Sequence, residues 1–228
     1  MENLENNRHR SIAESLDNLI KRSRTISTVV EIAREKNYQL FLVGGVLRDI
    51  LFDRTSKDVD FVTNEATQLA NLVAKQTKSR PVLIDRKFGT IRLVPLDLST
   101  EKEAFVVDLS PLRGPSIVDD LYQRDFTLNA LALDITAWQS DRGIDLLDPF
   151  EGIRDLKAGR LRACSYRSLL DDPLRILRAY RLESTYGLKL DAQTKESILE
   201  ARHGLNKVAA ERIRDELVLM LSATNSVS

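Results

Sequence analysis

Asp58-Val59-Asp60 sets two carboxylates two residues apart in a stretch, Asp58 to Thr63, where acidic and apolar side chains alternate. Side chains on an extended strand alternate with period two, so both carboxylates point to one face. Two like charges so placed repel unless a proton or a cation sits between them, and magnesium is the usual cation. Gly44-Gly45 lies between an apolar run and a helical pattern. There it allows backbone N–H groups to approach a phosphate at a helix start, or simply makes a tight turn. A third carboxylate, Asp108, falls in Phe105-Val106-Val107-Asp108-Leu109, a strand able to lie beside the first two. Three convergent carboxylates next to a phosphate cradle describe a two-metal site for in-line phosphoryl or nucleotidyl transfer. Asp172 and Arg175, three apart on a helical pattern, share a face. A carboxylate accepts from an exocyclic amine and a guanidinium donates to a ring nitrogen or carbonyl. Such a pair reads cytosine and adenine and rejects guanine and uracil, whose carbonyl would face the carboxylate. The alternative is that Asp172 caps its helix and Arg175 pairs on the surface.

These groups need elements to carry them. Residues 8–36 read as two helices, the second from near Thr25 with Val29, Val30, Ile32 and Ala33 as its apolar side. Tyr38 to Val43 reads as a buried strand, Val46 to Phe52 as a short helix with Arg48 and Asp49, and Asp58 to Thr63 as the acidic strand. A helix over Ala66 to Gln76 and strands near Val82–Ile84, Thr90–Pro95 and Ala104–Leu109 follow. Beyond Gly152 the pattern is helical: about 172–186 between Pro173 and Gly187, another from Asp191, and a third over Ala209 to Leu221. The last has an apolar stripe (Ile213, Leu217, Met220, Leu221) in need of a partner surface. The fold class is α/β (α+β): a small mixed or antiparallel sheet with flanking helices, then an all-helical piece. Residues 1–24 read as an N-terminal helical extension, 25–148 as the α/β unit and 149–228 as the all-helical piece.

Composition narrows the classes. The 228 residues are 43% apolar and 30% charged, too apolar for a disordered chain. No apolar run is long enough to span a membrane, and the polar, acidic first residues exclude a secretory signal. The single cysteine, Cys164, fits a reducing compartment and a cytoplasmic location. One cysteine and two histidines, His9 and His203, exclude a Cys/His zinc site within the chain, which leaves carboxylates. Thirty-four basic and 34 acidic residues balance, so global charge does not announce a nucleic-acid binder. Eight basic residues against four acidic ones between Glu151 and Leu182 are either a solvated surface or a local anion-facing patch.

Leu42-Val43-Gly44-Gly45-Val46-Leu47-Arg48-Asp49, with Lys57-Asp58-Val59-Asp60-Phe61, resembles the first motif of class II tRNA nucleotidyltransferases. That family comprises CCA-adding enzymes, their CC-adding and A-adding relatives, and bacterial poly(A) polymerases. Arg124-Asp125-Phe126-Thr127-Leu128-Asn129-Ala130 is similar to the second motif, and Asp148-Pro149-Phe150-Glu151-Gly152 with Asp155-Leu156 to the third. Asp171-Asp172-Pro173-Leu174-Arg175 resembles the fourth, and Glu211-Arg212-Ile213-Arg214-Asp215-Glu216-Leu217 the neck helix. Leu47 stands where Val is common and Asp171 where Glu is.

The resemblance implies a template-independent enzyme adding C and/or A from CTP or ATP to an RNA 3′ end, most of all tRNA. By it, Asp58 and Asp60 hold two magnesium ions and Asp108 positions or deprotonates the primer hydroxyl. Gly44, Gly45 and Arg48 surround the triphosphate, and Arg124, Asp125 and Asn129 the sugar and phosphates. Asp172 and Arg175 select the base, with Arg178 as a phosphate or stacking contact. The short stretch from Leu109 to Gln123 lacks the Asp/Arg-rich loop of the CCA-adding form, which leans toward CC addition or an A-adding or poly(A) subtype. Ile84 to Arg92 looks more like the tRNA enzymes than the poly(A) polymerases. A small-molecule nucleotidyltransferase would share the first motif alone, and a non-catalytic RNA-binding subunit would not need all three acids. Family members continue into body and tail helices, so a fragment, or a short form completed by a partner chain, is expected.

Overall fold

A computed structural model describes residues 2–96, 105–139 and 145–224. Two compact units emerge, one of 1–120 with 131–147 and the other of 121–130 with 148–228.

The first unit opens with α1 (Glu2–Arg22) and α2 (Arg24–Glu35). Ser23 starts α2 as its cap, accepting from the backbone N–H of Ile26 at 3.2 Å, and Val29, Val30, Ile32 and Ala33 are buried as their spacing requires. Then come β1 (Leu40–Val43), α3 (Gly45–Leu51), β2 (Asp58–Thr63) and α4 (Ala66–Thr77). Next are β3 (Ser79–Asp85), β4 (Thr90–Pro95), β5 (Val106–Pro111) and α5 (Ile117–Tyr122), which runs into the second unit. Ala104, the expected start of the fifth strand, lies outside the described residues. With β6 (Ala132–Asp134) and β7 (Leu146–Leu147) the strands form one sheet in the order β3-β4-β5-β2-β1-β6-β7. Its neighbours are antiparallel except β2 and β5, which are parallel. Val59, Phe61, Val107 and Leu109 are buried alternate residues of that parallel pair, and Leu69, Ala70 and Val73 of α4 complete the apolar layer.

The second unit holds α6 (Gly152–Lys157), β8 (Arg160–Leu161), α7 (Ser168–Asp171), α8 (Arg175–Tyr186), β9 (Lys189–Leu190), α9 (Ala192–Ala201) and α10 (Ala210–Thr224). It is helical as expected apart from a two-residue parallel ladder, β8 with β9, each too short to register as an alternating pattern. Segment 121–130 joins this unit although it lies within the stretch read as the head. Thr127 N donates to the Arg162 carbonyl at 2.9 Å, and Phe126 bridges to Ala163. The fully buried Asp155 carboxylate accepts from Thr127 Oγ1 at 2.7 Å and from Arg162 Nε at 2.8 Å. Side chain and backbone thus fasten the second motif to the third.

Helix α8 begins at Arg175 rather than at 172. Asp172 precedes a proline, which pushes it out of the helical region to φ −143°, ψ 94°. The apolar stripe expected on α10 is largely on the surface: Leu217 and Leu221 are exposed, while among the described residues of that helix Glu216 is the buried one. No helix among the described residues is long and apolar enough to cross a membrane.

Candidate active site

In the first unit the sheet register builds the acidic centre. Asp60 of β2 pairs directly with Asp108 of β5, and Asp58 is two positions back on the same face. Asp58 is exposed, Asp60 half-buried and Asp108 buried. On the other side of β2, Asp60 pairs with Val43, the last residue before the Gly-Gly turn. Gly44 holds φ 80°, a conformation that side-chain-bearing residues rarely adopt, so the turn into α3 requires glycine there. At Gly45 a Cβ would lie 3.1 Å from Nη2 of Arg48, a tight contact with the end of that side chain. Arg48 is buried and donates to Asp49 Oδ1 from Nε at 3.0 Å and from Nη2 at 2.8 Å. The turn, Arg48 and the three acids therefore all belong to the first unit, around the ends of β1 and β2.

Beside Asp108 stands a residue the sequence reading did not single out. Arg92 of β4 faces Asp108 across the ladder and grips it with two parallel bonds, Nε to Oδ1 and Nη2 to Oδ2, each 2.9 Å. These bonds, against the opposing effect of burial, raise the guanidinium's pKa, and the charges of Asp108, Asp58 and Asp60 add to the rise. Among the described residues no three acidic, His or Cys side chains are arranged to hold a metal ion. The donor set itself suits magnesium, being hard carboxylate oxygens on neighbouring same-face positions. Asp108, the buried member of the set, is paired with Arg92.

In the second unit Asp125, Asn129 and Arg178 come together. Asp125 Oδ1 accepts from Asn129 Nδ2 at 3.0 Å and from the Phe126 N–H at 2.8 Å, and Oδ2 accepts from Arg178 Nη1 at 3.0 Å. Burial alone would raise the Asp125 pKa. The charges of Arg178 and Arg175, with the bonds from Asn129 and Arg178, outweigh that and hold the carboxyl well below the usual range. Arg178 is fixed in turn by Glu216 of α10, whose Oε1 accepts from Arg178 Nε at 3.0 Å while Oε2 accepts from Arg181 Nε at 2.7 Å. Burial would lower the Arg178 pKa; Asp125 and Glu216 reverse this, so the guanidinium remains charged.

Arg175 and Asp172 have partners of their own. Arg175 Nη1 donates to the carbonyls of Arg124 and Ser168 and to Ser168 Oγ, and Nη2 to the Gln123 carbonyl at 2.9 Å. The guanidinium therefore staples the fourth motif to the second. Asp172 Oδ1 accepts from the Leu174 N–H at 3.3 Å, and Oδ2 from Arg212 Nη2 at 2.9 Å. The two do not share a helix face, because Asp172 precedes α8. Arg212 and Glu216 were legible only as part of the neck-helix motif. Their spacing of four residues, which puts both on one side of α10, was the available signal. Arg92 ended the family-like Ile84 to Arg92 stretch, but nothing in the sequence reveals the register of β4 against β5 that pairs it with Asp108. Burial, with the Asp125 charge adding, pushes the Cys164 thiol well above its ordinary pKa, so it stays protonated and unreactive.

A mixed sheet with same-face carboxylates behind a Gly-Gly turn, followed by a helical unit, defines a nucleotidyltransferase-type head and its companion. The comparisons agree. The model of the poly(A) polymerase head domain matches residues 40–162, and that of the probable RNA- and SrmB-binding site of polymerase A matches 187–228. The CC-adding tRNA nucleotidyltransferase of Geobacter sulfurreducens is 38% identical over 202 residues, 88% of this chain and 44% of that protein. A CCA-adding enzyme solved with CTP superposes with a TM-score of 0.73 at 31% identity, covering 91% of this chain and 47% of that one. The Thermotoga maritima CCA-adding enzyme complexed with tRNA gives 0.71 at 32% identity, over 85% of this chain and 45% of the other. The chain belongs to the family of poly(A) polymerases and tRNA nucleotidyltransferases, and spans about half the length of these relatives.

Proposed function

We propose that the protein is the head-and-neck part of a metal-dependent, template-independent nucleotidyltransferase that adds C and/or A, from CTP or ATP, to the 3′ end of tRNA. The observation that carries this is the register pairing Asp60 with Asp108 beside Asp58, three carboxylates on one face next to a glycine turn. Asp58 and Asp60 would hold magnesium, with Asp108 completing the set. Bound there, the metal would supply charge neutralisation at the reacting phosphate and a more acidic primer hydroxyl. Gly44, whose N–H donates to the Leu131 carbonyl at 3.4 Å, and Gly45, with Arg48 behind them in its pair with Asp49, would surround the triphosphate, Gly45 offering its backbone N–H to a phosphate oxygen. Asp108 would meet the primer hydroxyl with oxygens that each already accept one bond from Arg92.

In the second unit Asp125 and Asn129 would bind the ribose, and Arg124 and Arg178 would supply positive charge toward phosphate. Asp172, held by Arg212, would accept from the amine of cytosine or adenine. Arg175, committed to the carbonyls of Gln123, Arg124 and Ser168, would shape the base site as much as read it. The linear division would be an extension (1–24), a head (25–148) and a neck (149–228), with residues 121–130 of the head folding together with the neck. A location in the cytoplasm fits tRNA processing.

The test is a product ladder with magnesium, CTP alone, ATP alone and both, on tRNA primers lacking the last one, two or three nucleotides. Extension with CTP or ATP but not UTP or GTP is expected. Arrest after two C residues marks CC addition, and unlimited A addition to any RNA would favour a poly(A) polymerase. Equal labelling by all four nucleotides would overturn the base-reading argument.

A further inference from the structure

The row of carboxylates in the first unit carries its own cation. Arg92, Asp108 and Asp60 occupy register-paired positions on three adjacent strands, with Asp58 at the exposed end. The two bonds between Arg92 and Asp108 use one oxygen each, so both oxygens of the third carboxylate are engaged by the guanidinium. The Arg92 side chain is 41% exposed and Asp108 11%, so the guanidinium can leave toward solvent while the carboxylate stays in the row.

Three adjacent carboxylates without a counter-ion repel one another, and a fixed guanidinium relieves this in the absence of metal. The same guanidinium competes with a divalent ion for the same oxygens and repels it. We propose that Arg92 is a latch: a built-in counter-ion that holds Asp108 until magnesium replaces it, so that metal binding and release of Asp108 are one event. This rests on the metal-dependent reading above and gives a role to Arg92, the last residue of the family-like Ile84 to Arg92 stretch.

The full chain is titrated with Mn2+, free ion being followed by electron paramagnetic resonance without nucleotide or RNA. Arg92→Met keeps the aliphatic stem and removes charge and fork, and is expected to bind Mn2+ roughly tenfold tighter than wild type. Unchanged or weaker binding overturns the latch. In wild type, the Arg92 Nε–Hε resonance is expected to move as Mg2+ saturates the site, because its partner is withdrawn. A resonance that stays in place at saturation overturns the latch without recourse to a variant. Asp58→Asn separates the two levels. Wild-type binding that survives Asp58→Asn, or no wild-type binding at all, sinks the metal-site assignment and the latch with it. Asp58-dependent binding indifferent to Arg92→Met sinks the latch alone.

Discussion

Gly152→Ala tests how the second motif is held. A Cβ at Gly152 would lie 2.2 Å from the Thr127 carbonyl oxygen, 2.7 Å from its carbon and 3.2 Å from Leu128 Cα. Unstrained carbon–oxygen contacts begin near ~3.3 Å, so the overlap is about 1 Å, and it is with backbone that cannot rotate away. Relief requires α6 to draw back from the 127–129 turn. That movement stretches the Thr127–Asp155 bond (2.7 Å) and the Asp148 cap on the N–H groups of Gly152 and Ile153 (2.6 and 2.9 Å). Overpacking costs ~1–3 kcal/mol. A weakened bond to a buried carboxylate costs ~1.5–3 kcal/mol. The helical preference of Ala over Gly returns ~0.5–1 kcal/mol. The expected loss is about 3 kcal/mol, read by urea unfolding followed by circular dichroism. Gly159→Ala is the control: nothing lies within 4 Å of its would-be Cβ, and only its φ of +63° opposes a side chain, a cost of ~1 kcal/mol. If Gly152→Ala costs no more than Gly159→Ala, the proposed fastening of the two segments is wrong.

Glu216→Gln should lower stability by about 1.5–3 kcal/mol, toward the lower figure because Arg178 is a third exposed; an unchanged urea midpoint would show that the Glu216 charge is not needed. Asp125, with its pKa depressed in the folded state, contributes stability in full above the unfolded value near ~4 and loses it as pH falls toward the folded one. The stability difference between wild type and Asp125→Asn should therefore shrink between pH 5 and pH 2.5 in a series of urea titrations, and a constant difference would contradict the ion-pair account.

What was legible in the sequence was local. Hydrophobic spacing delineated α2, α4 and the 58–63 strand, and Asp191 marked the start of α9 by accepting from the Thr194 N–H at 2.9 Å. The glycine turn and the acidic pair could be read because their chemistry sits within a few residues. Arg92 could not, since its importance depends on a strand register set by a distant connection. Nor could the burial of Glu216: by composition α10 should bury Leu217 and Leu221, yet two arginines of α8 draw the carboxylate inward instead. The shift of α8 from 172 to 175 was readable, because Pro173 restricts the residue before it, and the periodicity of the helix obscured that signal.

The parallel pairing of β2 with β5 bears on when catalytic competence can arise. No hairpin can bring two parallel strands together, so Asp60 reaches Asp108 only after the intervening helix and the β3–β4 ribbon have been made and folded back. A chain emerging from the ribosome presents its first two acids before the third, and the still more distant pairing of β1 with β6 can follow only later. The three carboxylates therefore share a face only once β5 has docked beside β2.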